Sequence, residues 1–326
     1  MRGGNDGSWD SLKNWATAVR RDDRSNAFKA RGNWSKFKKL IGNVGRSQNT
    51  LNKRSNARNF IYQHYAKQTG AVGQEPLSPL ERMNSVSTLQ QHMVDETAKG
   101  DWHTEVFDQY GKKRTWKADE AEAQPLLQDH VKGGFTYHEP NNRGGRSSKG
   151  GRLSVAATKD SYVQLNKNVH ELLSDDVGRS GKVTAPKGIH DRADTSVFYL
   201  KGSENTRERR ETIGDALVQN VDVIDKAPGG MGRVRPGVFT SETPNYVVKP
   251  QDPTAHQQSS HGNARSMIIE KAIRSTRKNF GAEATQEQFE SVLKYKLARH
   301  GLDPEQPSMR KAQPQNLRKP WVPPAD

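Results

Sequence analysis

Lys182, Arg192, Tyr199 and Arg265 are the residues whose types and spacing offer chemistry. Lys182 opens the predicted strand GKVTA. Arg192 enters, and Tyr199 leaves, a second predicted strand within HDRADTSVFYLKG, residues 190–202. Arg265 falls in the first turn of the helix predicted after SSHG. A helix start concentrates unpaired amide donors and the positive end of the helix dipole. An arginine added there makes an oxyanion pocket, and two guanidinium forks hold a phosphate by paired hydrogen bonds. The simpler account is that each arginine meets a local acid, Arg192 pairing with Asp191 or Asp194. Composition and spacing alone favour that simpler account.

Other chemistries lack their residues. The GGMG stretch at Gly229–Gly232 has no Lys-Ser/Thr ending and no strand–helix frame, so it reads as a mobile loop rather than a phosphate loop. The ten histidines include no helical pair beside a carboxylate, so no metal is expected. Cysteine is absent, which excludes disulfides and thiolate metal sites. No Gly-x-Ser segment has the elbow context of a serine hydrolase. No cofactor is implied.

The elements that must position such residues are set by composition and pattern. A chain of 326 residues suffices for one large or two ordinary domains. With 31% hydrophobic residues and a mean hydropathy of -0.99, a compact domain with polar, poorly ordered ends is expected. No stretch approaches the roughly 18 apolar residues of a membrane span. The opening MRGGNDGSWDSLKNW lacks the apolar core of a secretory leader, so export would proceed without a cleaved one.

The net charge is +15, and residues 1–60 hold many arginines and lysines against few acids. Such an arm attracts nucleic acid, acidic membrane or acidic proteins. Trp9, Trp15, Phe28, Trp34 and Phe37 interleave with it, which keeps a nucleic-acid role open. The plainer reading is a solvated arm that keeps the protein soluble.

Residues 1–50 read as a basic, weakly ordered tail for secretion or translocation. Residues 51–138 follow as a helical part plus a hairpin in WHTEVFDQYGKKRTWKA. EPNNRGGRSSKGG, residues 139–151, is a linker. Residues 152–310 form a core in which RLSVAATKDSYVQLN supplies alternating strands and VHELLSDDV a short helix. Helices are predicted in SENTRERRETIGDALVQNV, HGNARSMIIEKAIRSTRKNF and TQEQFESVLKYKLARHG. The last has Thr285 as N-cap, Gln288 as its capping-box partner and Gly301 as its close. Residues 311–326 are a Pro-rich tail. The fold class is α+β, a mixed or antiparallel sheet with flanking helices, a helical N-terminal part and a disordered basic N-terminal tail.

Several of these stretches resemble one family. GKVTAPKGIHDRADTSVFYL, RPGVFTSETP, SSHGNARSMIIEKAI, GLDPEQP and NFIYQHYAKQTG are similar, in order, to segments of the HopA-type family of type III secreted effectors. The resemblance spans roughly residues 55–310 and includes Ser260, Gly262 and Arg265 at a helix start. The family includes effectors that plant-pathogenic bacteria inject into host cells, and it is distantly similar to bacterial phosphothreonine lyases. Those enzymes remove phosphate from a phosphorylated residue by β-elimination.

The resemblance implies roles. Lys182 would be the base, with a pKa lowered by burial or nearby cations. Arg192 and Arg265 would bind phosphate and stabilise its growing charge. Tyr199 would orient the base. The lyases also place a lysine and a histidine, two apart, on an earlier strand, and the histidine protonates the leaving phosphate. SYVQLN is expected to be that strand, with Tyr162 and Gln164 in those places, and glutamine is no general acid. His170, His190 and His261 are the substitutes to consider.

The implied protein is an effector secreted by a type III system into the cytoplasm of a host, most naturally a plant. Its partners would be a host protein in phosphorylated form and a bacterial secretion chaperone, with no metal. Three readings stand: a phospho-Ser/Thr lyase, a lyase-like module that binds without turnover, and a nucleic-acid or membrane binder acting through the basic tail.

Overall fold

The computed structural model describes residues 6–29, 151–184, 194–242, 261–281 and 284–310, isolated positions between 61 and 88, and three strands within 102–140. The expected linker beyond Pro140, the Pro-rich tail, most of the expected early helices, Arg192 and His190 lie outside the described residues. The chain divides into two compact units. One holds residues 69–228 with 233–241, and the other holds 1–68, 229–232 and 242–326.

The first unit is built on a sheet. Its strands are β1 (Trp102–Phe107), β2 (Lys113–Trp116), β3 (Phe135–Pro140), β4 (Gly151–Val155), β5 (Gly178–Thr184), β6 (Ser196–Leu200), β7 (Gly232–Arg235) and β8 (Val238–Glu242). They run in the order β2-β1-β3-β5-β6-β4-β8-β7. β1 and β2 form the expected hairpin, with Phe107 opposite Lys113. The pairs β1/β3, β3/β5, β5/β6 and β4/β6 are antiparallel as well. The α+β class read from the sequence holds.

Strand alternation gives this sheet two unlike faces. Leu153 and Val155 of β4, Val183 of β5, and Phe198 and Leu200 of β6 enter one buried cluster. Helix α2 (Tyr162–Ser174) covers that face with Leu165, Val169, Leu172 and Leu173. Helix α3 (Arg207–Leu217) adds Ile213 and Leu217, and its N-cap Thr206 accepts from the Arg209 amide. Each such side chain contributes roughly 1.5–3 kcal/mol by leaving water. Gly181 lets α2 approach, because a Cβ there would stand 2.5 Å from Val169 Cγ1. Asn168 Nδ2 donates to the carbonyls of Leu217 (3.1 Å) and Gln219 (2.8 Å), tying α2 to the end of α3.

SYVQLN is therefore not a strand. The chain leaves β4, makes a short 3-10 turn at Lys159–Ser161 and enters α2 at Tyr162. Apolar residues at 162, 165, 169, 172 and 173 follow helical spacing, and one helix buries them all where a strand would expose half. The short helix expected at VHELLSDDV is the second half of α2.

The second unit is helical among its described residues: α1 (Ser8–Lys29), α4 (His261–Phe280) and α5 (Gln286–Arg299). The weakly ordered tail expected over residues 1–50 does not hold for α1. Leu12, Trp15, Ala16 and Val19 are all buried, and they recur at the i, i+3, i+4, i+7 spacing of a helix face. The overall polarity of the segment conceals that face. Trp15 Nε1 donates to the Ile61 carbonyl at 3.0 Å, and its ring lies 5.0 Å from that of Tyr65.

The glycines at 229–232 are held rather than mobile. The Gly229 carbonyl accepts from His261 Nε2 at 2.9 Å, and the Gly230 amide donates to Ser11 Oγ at 3.0 Å. Gly230 has φ +76, and a Cβ on Gly229 would stand 2.6 Å from Trp15. α5 begins with the expected capping box of Thr285 and Gln288. It ends at Gly301 (φ +71), where the Gly301 amide bonds the Ala298 carbonyl and the Leu302 amide the Leu297 carbonyl, a Schellman motif.

Candidate functional site

The second face of the sheet is polar. Cross-strand partners share a face, so the registers Arg152↔Tyr199, Ser154↔Val197, Ser180↔Tyr199 and Lys182↔Val197 put these residues together opposite the apolar cluster. Tyr199 thus sits in one row between Arg152 and Ser180. Lys182 and Ser154 flank Val197 in the next row, and Lys182 also pairs with Tyr137 of β3. Lys182 and Tyr199 are diagonal neighbours, a relation that spans roughly 7–8 Å in a sheet.

Arg152 is buried, and its guanidinium carbon lies 5.7 Å from the Tyr199 ring centroid. That geometry is a cation–π contact. The hydroxyls of Ser154, Ser180 and Thr184 on this face are buried with no hydrogen-bond partner among the described residues. Buried hydroxyls of that kind call for a water or ligand to satisfy them. β5 also carries a bulge at the edge of the row, between Gly178 and Ser180. The result is a face that gathers an ammonium, a guanidinium, a phenol and several hydroxyls, groups of a kind that suit an anion, with Lys182 and Tyr199 partly exposed and the others buried.

The four residues singled out from sequence are distributed unequally. Lys182 and Tyr199 share the polar face, both partly exposed. Arg192 lies outside the described residues. Arg265 belongs to the helical unit, one position past the first turn of α4 rather than in it. It is fully buried, and its Nη2 donates to the carbonyls of Glu242 (3.1 Å) and Pro307 (2.7 Å). Both acceptors belong, like Arg265, to the helical unit.

The stretch expected to carry a two-apart pair on a strand lies in a helix. Tyr162 lies in the core cluster, and Gln164 Nε2 donates to Asn168 Oδ1 at 2.8 Å within α2. On β4, which pairs with β6, Arg152 and Ser154 lie two apart on the face that carries Lys182. Sequence reasoning missed both. The signal was the R-L-S-V alternation of β4, in phase with S-G-K-V-T of β5.

Of the substitute histidines, His170 lies fully buried in α2, on the helix that covers the opposite face. His261 spends Nε2 on the Gly229 carbonyl. Among the described residues, no group of three or more His, Cys, Asp or Glu is arranged to hold a metal ion.

Antiparallel pairing of β1 to β6, with one helix-covered face and one polar face, defines an α+β protein. Comparison with known proteins narrows this. The chain belongs to the HopA1 effector protein family, whose family model matches residues 126–309. Among solved structures it is similar to the effector protein from Pseudomonas syringae pv. syringae strain 61, at 19% identity and TM-score 0.59, covering 95% of this chain and 99% of that one. It is similar to the effector protein from Pseudomonas syringae pv. tomato strain DC3000 at 18% identity and TM-score 0.61, covering 94% and 98%. The phosphothreonine lyase SpvC of Salmonella aligns at 13% identity and TM-score 0.28, over 58% of this chain and 98% of that one. No curated protein matches.

Proposed function

We propose that this chain is a type III effector that acts inside a host cell, a plant cell by analogy with its Pseudomonas syringae relatives, and recognises a phosphorylated host protein. The observation that carries this reading is the shared face of Lys182, Arg152 and Tyr199. An ammonium and a guanidinium supply charge-assisted donors to a phosphate, and the phenol packs against the guanidinium. Arg192, four residues before Ser196 in the sequence, is the candidate second guanidinium.

Elimination of the phosphate would need two proton transfers. Lys182 would take the α-proton of the phosphorylated residue, and an acid would deliver a proton to the departing phosphate. The residue two beyond Arg152 on the same face is Ser154, and a serine hydroxyl does not protonate phosphate near neutral pH. The reading favoured here is therefore phosphate recognition without turnover.

A panel of phosphothreonine and phosphoserine peptides, with their unphosphorylated forms, tests this by fluorescence anisotropy and product mass. Phosphate-dependent binding that is lost in Lys182→Ala, with peptide masses unchanged, is the expected result. Dehydrated peptide and free phosphate, abolished by the same substitution, would replace recognition with lyase activity. Binding indifferent to phosphate would end the proposal.

A further inference from the structure

The bulge in β5 brings a further side chain to the polar face. Gly178 pairs with Leu200 and Ser180 with Tyr199, so Arg179 is the extra residue that no position of β6 opposes. Gly178 and Gly181 both face the apolar cluster. A Cβ on the first would meet the Phe198 ring, and a Cβ on the second would meet Val169. In a regular strand, residues that share a face are an even number of steps apart, and here the separation is odd. Arg179 and Ser180 therefore lie together between two core-facing glycines, on the side of Tyr199. Re-aiming a side chain in this way is what a bulge does.

Arg179 is partly exposed, and it makes no hydrogen bond or ion pair among the described residues. Asp176, close before it in sequence, pairs with Lys201 instead. Ser180 beside it is buried, and its hydroxyl has no partner among the described residues. On the other side of Tyr199 stands Arg152, the register partner of the same tyrosine from β4. Donors thus approach Tyr199 from both neighbouring strands: the Arg152 guanidinium from β4, and the Arg179 guanidinium with the Ser180 hydroxyl from β5. A carboxylate has two coplanar oxygens, which one guanidinium fork satisfies. A phosphomonoester presents three terminal oxygens around a tetrahedral phosphorus and takes donors from several directions. The spread of donors over two strands selects the phosphate.

We infer that Arg179 is a phosphate-binding residue that closes a clamp of two guanidinium groups with Arg152 around Tyr199, and that it makes the site selective for a dianionic phosphomonoester. This rests on the reading of the polar face as a phosphopeptide site. One fork answers a monoanion, whereas the second fork has a charge and an oxygen to bind only when the ligand is a phosphomonoester.

The test measures fluorescence anisotropy of the full chain with three forms of the tightest-binding phosphothreonine peptide: the phosphothreonine itself, its phosphate monomethyl ester, and glutamate in the same place. The ester keeps the phosphorus and loses one charge and one terminal oxygen. Arg179→Gln should weaken the phosphothreonine form about tenfold, the effect of losing one charge-assisted hydrogen bond, and the other two forms by clearly less. Arg179→Lys keeps the charge without the fork and should recover only part of the loss. Equal phosphothreonine affinity in the wild-type chain and in Arg179→Gln overturns the inference. So does a loss that falls equally on the ester or the glutamate form, which would make Arg179 a contact for any acidic group. Phosphate-dependent binding that is lost in Lys182→Ala but kept in Arg179→Gln strikes the clamp and leaves the polar face as the site. Wild-type binding indifferent to phosphate strikes both.

Discussion

Arg152 and Tyr199 face each other across β4 and β6 as register partners, guanidinium carbon 5.7 Å from ring centroid. The ring holds the cation at a fixed place on the polar face. Tyr199→Phe keeps that contact and is expected to retain most phosphopeptide affinity. Tyr199→Ala releases the guanidinium, and Arg152→Ala removes it, so each should weaken binding about tenfold by anisotropy. Equal losses in the Phe and Ala variants would instead give the phenol hydroxyl the main role.

Arg265 allows two roles to be told apart. Its bonds to the Glu242 and Pro307 carbonyls predict that Arg265→Ala lowers unfolding free energy by about 2 kcal/mol, since hydrogen bonds to charged groups contribute roughly 1.5–3. Urea denaturation measures this. Unchanged stability with lost phosphopeptide affinity would make Arg265 a phosphate ligand instead.

Gly181→Val would drive a branched side chain into Val169 and Leu173 beneath α2. Overpacking of this kind costs about 1–3 kcal/mol. The expected readout is a lower melting temperature, with the larger fall for Val than for Ala.

His300 makes stability pH-dependent. Its pKa is about 4 in the folded chain against an ordinary 6.5, so the unfolded chain binds the proton more readily. The neutral ring's contribution is fully present above pH 6.5 and is lost progressively as pH falls toward 4. The span is worth about 3 kcal/mol. His300→Gln should flatten the stability profile across that window in denaturation curves taken at successive pH values.

Trp15→Ala is expected to cost about 3–5 kcal/mol, the range for removing a fully buried large aromatic. Asn14→Ala, on the exposed side of the same helix, should stay within about 0.5 kcal/mol. Equal behaviour of the two variants would mean that α1 does not pack as described.

What could be read from the sequence followed from local signals. Thr285, Gln288 and Gly301 mark both ends of α5 because caps are written in residues three or four apart. The β1–β2 hairpin is equally plain as an alternating run about a glycine turn, and β6 as a short apolar run. The reading failed where a pattern had two solutions. SYVQLN alternates like a strand, and only the longer repeat through Leu173 shows that it is helical. α1 was hidden by its charge, although Leu12, Trp15 and Val19 already formed a stripe. The polar face illustrates the same limit. Lys182 and Tyr199 stood out by resemblance, whereas Arg152 became visible only once β4 was paired with β6, because register is a property of two strands.

Because Ser8 and Ser308 both bind the carboxylate of Asp6, with Ser308 Oγ 2.5 Å from it, the start and the close of the helical unit are stitched together. Trimming the first thirty residues to test whether the basic arm binds nucleic acid or membrane would also pull a tryptophan and a leucine from the interior. Any loss of binding would then report an unravelled bundle. Charge reversal at surface positions leaves that stitch intact, so it is the cleaner way to ask what the amino-terminal charges attract.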